Sequence, residues 1–236
     1  TALRATRVLS VYGTLGVSDA WREAFPAQSA ARVVEYLLST WTQVAARKLF
    51  YFSWQQAEPK LTLALKEILK DGAHEVGLTG FWGGEDQSVK LDPATLKPLK
   101  GFRTDITYHS DLDRLSLTFE WKKLKKPSQS RKAYYGADGM GRFLEENGYA
   151  KKEPFKLMVG IIESPAHRSE IQSLMVAMNK DDVLALLHMI PDDKGSHIRA
   201  PSRELPGLAT FDTQHVRESG GYSTFTFSHL FVEFPE

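Results

Sequence analysis

Cysteine is absent from all 236 residues, which excludes disulfides, thiolate metal sites and cysteine nucleophiles. The same absence favours a reducing compartment, so a cytoplasmic location is expected. Any metal would have to be held by oxygen or imidazole. There is no run of about 18 apolar residues, so no membrane-spanning helix and no membrane partner are expected. No charged-then-apolar N-terminal segment of the signal-peptide kind is present either. The chain opens at Thr1 without Met, as a processed or trimmed start would. It also lacks a Walker A string, a G-x-G-x-x-G after a strand and a G-x-S-x-G elbow, leaving nucleotide-cofactor and serine-hydrolase chemistry without support. The seven histidines show no H-E-x-x-H or similar ligand spacing, which argues against zinc. No internal repeat, coiled coil or long disordered tract is found.

What is present is a sizeable core-forming composition, 42% hydrophobic and 25% charged, enough for one elaborated domain. Apolar spacing predicts an amphipathic helix over 29–56, broken near Phe52, and a second over 61–72 stopped by Gly72. Glycines and prolines over 74–100 suggest one or two strands with loops. A lysine-rich loop is expected through Ser130 and a short helix over 138–147. The run FKLMVGII, 155–162, reads as a strand covered on both faces. Helices are expected over 168–178 and 181–190, with Asp181 as N-cap. The proline-containing stretch 192–206 reads as the most mobile loop, and the tail as a hairpin turning at Gly220 and Gly221.

Between these elements lie two runs with period-two alternation, FRTDITYHS from Phe102 and LSLTFEWKKL from Leu115. Ile106, Tyr108, Leu117, Phe119 and Trp121 form the apolar set, while Asp105, Thr107, His109, Ser116, Thr118, Glu120 and Lys122 share the polar face. The intervening SDLDR is turn-like, so the runs predict a hairpin. Pairing polar with polar, centred near Leu112 and Asp113, sets His109 opposite Ser116, Thr107 opposite Thr118 and Asp105 opposite Glu120. Two carboxylates with Cβ atoms about 5 Å apart destabilise a hairpin unless a cation lies between them. Charge also concentrates here. Residues 100–132 hold nine Lys or Arg against four acids, although the whole chain is only +1. Positive charge around paired acids suits a phosphate-cutting site. Lys125, Lys126, Arg131 and Lys132 are candidates for tracking a nucleic-acid backbone, with Tyr134 and Tyr135 for stacking or hydrogen bonding.

The order helix, strand region, Asp105-bearing strand, Glu120-Trp121-Lys122 strand, helix and buried strand resembles the PD-(D/E)XK nuclease superfamily, over roughly residues 61–162. Thr104 stands where the name-giving proline would be. The resemblance implies an α/β, restriction-endonuclease-like core with a central mixed sheet flanked by helices. Residues 57–165 would be that core, 1–56 a helical N-terminal extension and 166–236 helices plus the C-terminal hairpin, all in a single nuclease domain. It further implies Mg²⁺, with Mn²⁺ able to substitute, bound by Asp105, Glu120 and the main-chain carbonyl of Trp121. Lys122 would contact the attacking water and the scissile phosphate. Many members also carry a glutamate on the helix before the sheet, which Glu58 supplies in preference to Glu67. The expected activity is hydrolysis of phosphodiesters, most readily in double-stranded DNA, within a restriction, anti-phage or repair system. The alternatives are a nucleic-acid-binding or assembly subunit that keeps the fold without catalysis, and an RNA-directed or effector-activated nuclease. A homodimer, another oligomer or membership of a multi-protein defence complex fits any of these.

Overall fold

Val33, Val34, Leu37, Trp41 and Val44 recur at helical spacing and form the buried face of α1 (Ala27–Ala46). The computed structural model describes residues 25–83, 88–91, 98–102, 106–126, 128–144, 154–216 and 224–236. Helix α1 stops well before the expected end near Gln56. Arg47 and Lys48 close it through N–H bonds to Val44 and Ala45 carbonyls, and Lys48 takes a left-handed φ of 50°. The chain then turns over 47–57 before α2 (Glu58–Gly72). Pro59 lies in the first turn of α2, where no backbone donor is required, and Leu61, Leu65 and Leu69 are its buried stripe. The α-helical run ends at Gly72 as expected, but the chain does not uncoil there. A 3-10 turn, Ala73–Val76, continues the coil until Gly77, at φ 70°, ends it.

Five strands follow: β1 (Phe81–Gly83), β2 (Ser88–Leu91), β3 (Pro98–Phe102), β4 (Ile106–Ser110) and β5 (Leu115–Leu124). Strands β2 and β3 make a separate antiparallel pair. Strands β4 and β5 form the expected hairpin in the expected register, with Ile106 opposite Phe119, Thr107 opposite Thr118 and His109 opposite Ser116. Asp105 lies outside the described residues, as do Arg103 and Thr104. The stretch expected to be a loop through Ser130 enters α3 (Ser128–Tyr135) over its last three residues, and the helix expected over 138–147 is a 3-10 turn at Met140–Phe143, with 145–147 outside the described residues. Then come β6 (Phe155–Ile162), α4 (Ser169–Met178), α5 (Asp181–Leu186), β7 (Met189–Ile190), β8 (Ile198–Arg199), β9 (Phe211–Val216) and β10 (Thr224–Glu233). Lys180, not Asp181, takes the N-cap position of α5. Residues 192–206 are pinned at both ends. Asp192 accepts the N–H groups of Lys194 and Ser196, and buried Asp212 accepts Ser202 Oγ and the N–H groups of Arg203 and Glu204.

The main sheet has eight strands in the order β1-β4-β5-β6-β10-β9-β7, with β8 on β9. It is mixed, because β5, β6 and β10 run parallel while the other pairs are antiparallel. The fold is therefore α/β, an open sheet flanked by helices. One core joins α1 and α2 to Ile106, Tyr108, Leu117, Phe119, Trp121, Leu157 and Val159. A second joins α3 and the 140–143 turn to Leu124, Met158, Phe211, Phe225 and Phe227. Strand β6 is buried along its whole length, as its continuous apolar run predicted.

A buried polar chain crosses this second layer. Leu187 carbonyl can only accept, so His215 Nδ1 donates to it at 2.7 Å. Thr213 Oγ1 lies 2.8 Å from His215 Nε2 and 2.9 Å from His229 Nε2, and Tyr134 Oη lies 2.9 Å from His229 Nδ1. With neutral rings, Tyr134 donates to His229, His229 to Thr213, and Thr213 to His215. Burial, with His215 nearby, holds the His229 imidazole well below its usual pKa. In the unfolded chain that ring regains its ordinary value near 6.5. Unfolding therefore takes up a proton below about pH 6.5, and stability falls with acidification by up to about 1.4 kcal/mol per pH unit until the folded-state pKa is reached. Denaturant melts at pH 7.5 and 5.5 are expected to show this loss, with a flatter dependence in His229→Gln. An equal slope in the variant would remove His229 as its source.

Candidate functional site

Alternation puts Glu120 and Lys122 on one side of β5 and Trp121 on the other. Read as a two-faced hairpin, β5 would turn its polar side to solvent; the structure corrects this, with Glu120 1% exposed and Thr118 3%. The cause is the change of neighbours along the strand. Beyond the hairpin, β5 pairs in parallel with β6, and α3 with the 140–143 turn covers the face that the hairpin pattern alone leaves open.

A buried carboxylate must be matched by cations or donors. Glu120 Oε1 accepts Lys122 Nζ and Arg142 Nη1, each at 2.9 Å. Lys122 Nζ also donates to the Trp121 carbonyl at 2.9 Å and to Glu58 Oε1 at 3.3 Å. The other Glu58 oxygen accepts the Lys123 N–H at 2.9 Å. Glu58 is the first residue of α2, where a negative charge is favoured by the helix dipole, and this locates it at the edge of β5. The result is a mostly enclosed cluster of two acids and two bases. Three oxygens from Glu58, Glu120 and the Trp121 main chain surround one ammonium.

Of the sequence candidates, Glu58, Glu120, Trp121 and Lys122 are thus brought together, while Asp105 lies outside the described residues. Among the described residues, no group of three or more His, Cys, Asp or Glu side chains is placed to hold a metal ion. The donors that do converge are all oxygen, two carboxylates and a carbonyl, which is the chemistry Mg²⁺ takes when it retains several waters. Arg142 was not anticipated; its sequence cue is that the expected register sets an acid and not a base opposite Glu120. His109 is exposed and pairs with Asp111 at 2.9 Å.

The proposed backbone-tracking group divides. Lys125, Lys126 and Lys132 are exposed. Arg131 instead pairs with Glu170 at 3.0 Å and bonds the Lys126 carbonyl. Tyr134 is fully buried and Tyr135 8% exposed, so neither ring presents a stacking face; both are core residues of α3. Sequence reasoning also passed over Trp54 in the turn before α2. The Lys123 ammonium lies 4.5 Å from its ring centroid and that of Lys125 5.9 Å. Lys123 further donates to the carbonyls of Trp54 and Gln56. Burial first, then the nearby Lys125, pushes the Lys123 pKa down, with Glu58 and Glu163 acting in the opposite sense.

Compared with known proteins, the chain matches no family model, no curated protein and no solved structure. Among the described residues no helix is long and apolar enough to cross a membrane.

Proposed function

We propose that the chain is a Mg²⁺-dependent nuclease that hydrolyses DNA phosphodiester bonds, acting as an endonuclease of a restriction, anti-phage or repair system. The observation that carries this reading is the convergence of Glu58 Oε1, Glu120 Oε1 and the Trp121 carbonyl on the Lys122 ammonium. Glu120 and the Trp121 carbonyl are oxygens the resemblance assigns to a divalent cation, Glu58 is the glutamate it places on the preceding helix, and all three are held around a positive charge. The chain order α2, β1, β4, β5, α3 and β6, with the separate β2–β3 pair between β1 and β4, supports the same reading, since the resemblance rests on a helix, a strand region, two further strands, a helix and a buried strand. Glu58, Glu120 and the Trp121 carbonyl would hold Mg²⁺, together with Asp105. Bound there, the ion would supply charge stabilisation for the phosphoryl oxygens and a nucleophile at neutral pH. Lys122, released from the acids, would donate to a phosphate oxygen, and Arg142 would keep the Glu120 carboxylate oriented.

The competing reading is a binding or assembly subunit without catalysis. It is favoured by the pairing of the acids with Lys122 and Arg142, a balance of two negative and two positive charges that is satisfied within the chain. Metal titration separates the two. The nuclease reading expects Mg²⁺ or Mn²⁺ to bind in calorimetry and to raise the melting temperature, by about 2.7 kcal/mol of stability at a hundredfold excess over Kd. Lys122→Met, which removes the competing ammonium, is expected to bind metal more tightly than the parent. Plasmid nicking should require the metal. No binding at millimolar metal, with or without DNA, and no nicking would leave the assembly reading in possession.

The basic segment gives an independent expectation. Neutralising Lys125, Lys126 and Lys132 together should weaken binding to all DNA sequences alike and flatten the slope of log K against log salt by up to about 0.9 per lost phosphate contact. Arg131 is left out because its guanidinium already serves Glu170. An unchanged slope would assign these lysines to solvent alone.

A further inference from the structure

We infer that the turn between α1 and α2 is a base-stacking platform that receives single-stranded nucleic acid beside the proposed cleavage site. The inference rests on the nuclease reading and adds the form of the strand that reaches it. Phe50 is 73% exposed and Tyr51 79%, and their rings meet edge to face, 5.1 Å apart at 82°. Isolated exposed apolar residues need no explanation, but two adjacent aromatic rings on an anchored turn do. The anchoring is specific. Phe52, the next residue, points inward, 3% exposed, and packs on Trp41 at 5.0 Å and Phe234 at 6.0 Å. The Phe50 carbonyl accepts Ser53 Oγ and Gln56 Nε2. The outward direction of Phe50 and Tyr51 is therefore built into the turn.

The same turn is tied to the site. Lys123 Nζ donates to the carbonyls of Trp54 and Gln56, while the Lys123 N–H donates to Glu58. Lys123 is the residue after Lys122, so the aromatic pair and the acid–lysine cluster share one support. The turn's own sequence carries charge of one sign, although Lys48 within it donates to the Glu236 main-chain oxygen. Residues 47–57, RKLFYFSWQQA, contain two bases and no acid, exposed Lys60 follows closely in sequence, and the ammonium groups of Lys123 and Lys125 lie over the Trp54 ring of the same turn. Aromatic faces interleaved with cations suit a polyanion whose bases are unstacked. In an intact duplex the bases already stack on one another and offer no free face. A frayed end, a flap or a single strand does. A protein partner of ordinary composition has no need of the cations held at Trp54 in the same turn.

Fluorescence anisotropy in EDTA, with labelled mixed-sequence DNA and RNA strands, an abasic DNA strand of equal length and a blunt duplex, tests this. For the double variant Phe50→Ala/Tyr51→Ala, affinity for the base-bearing strands is expected to fall about tenfold or more, and for the abasic strand and duplex to change less than about twofold. Phe50→Trp/Tyr51→Trp should retain strand binding. Both pairs of changes lie on exposed side chains, so melting curves should match the parent. Strand affinity that is unchanged in the alanine variant overturns the platform, including the case in which the pair serves a protein contact. An equal loss on the abasic strand overturns it as well. The two levels of inference fail separately. If Lys122→Met stops cleavage but the alanine variant binds and cuts strands normally, the nuclease reading stands without the platform. If strand binding depends on Phe50 and Tyr51 while no metal supports cleavage, the platform stands and the nuclease reading falls.

Discussion

On the proposed nuclease function, Lys122→Met is expected to lower DNA cleavage by about two to three orders of magnitude, the usual effect of removing one donor from a developing phosphoryl or acyl charge. Methionine keeps the unbranched volume and removes only the ammonium. Both acids retain other donors: Glu120 keeps Arg142 at 2.9 Å and Glu58 keeps the Lys123 N–H at 2.9 Å. Stability should therefore change by only about 1 to 2 kcal/mol, and the variant should remain folded. Glu120→Ala would be a poor substitute for this test. Its carboxylate is buried against two cations, so truncation is expected to cost about 3 to 5 kcal/mol, in place of the small loss an exposed strand face would give. Glu120→Gln, which keeps the shape, is the better companion. Single-turnover cleavage at saturating Mg²⁺, with unfolding followed separately, distinguishes the two effects. Parent-like cleavage by Lys122→Met would remove this cluster from the chemistry whatever the fold.

The hairpin register was legible because three independent signals agreed. Ile106, Tyr108, Leu117 and Phe119 alternate strictly, the loop between them is short, and a one-residue slip would turn every apolar side chain outward. The continuous run of β6 was legible for a related reason, since only a strand covered on both sides tolerates it. What covers β5 was not legible. Helix α3 has the sequence SQSRKAYY, polar for most of its length, and is held in place by Tyr134 and Tyr135 entering a core assembled from β6, β9 and β10. Local pattern says nothing about such distant partners, so two core tyrosines beside lysines looked like surface stacking groups. Glu120 was misjudged for the same reason. Period-two alternation gives a side chain's face, whereas burial depends on what the chain brings to that face later. Glu58 was reachable only through the resemblance, because its approach to Lys122 is a long-range contact between a helix start and a strand end. The early stop of α1 also escaped the pattern: Leu49 and Phe52 continue the apolar spacing, but Lys48 has already left the helical region.

Trp121→Ala is expected to cost about 3 to 5 kcal/mol, a large share of a stability of 5 to 15 kcal/mol typical of single domains. The indole is fully buried and stacks on Trp41, with centroids 5.5 Å apart and an interplanar angle of 24°. Trp41 in turn donates its Nε1–H to the Glu233 carbonyl at 3.0 Å and packs on Phe52 and Phe234. Truncating Trp121 therefore opens a cavity where α1, β5 and the end of β10 meet. The Trp121 main chain would still offer its carbonyl to the site, so the loss should appear first as instability and only secondarily as lost cleavage. Trp121→Phe, which preserves an aromatic plate, should cost less. The test is denaturant unfolding of both variants beside Trp41→Ala and the double mutant. Stacked partners should show a coupling of about 0.5 to 1.5 kcal/mol beyond additivity. A loss below about 1 kcal/mol in Trp121→Ala would mean that the strand carrying Glu120 and Lys122 is held by its hydrogen bonds to β6 alone, and that the aromatic layer beneath it does not set the position of the site.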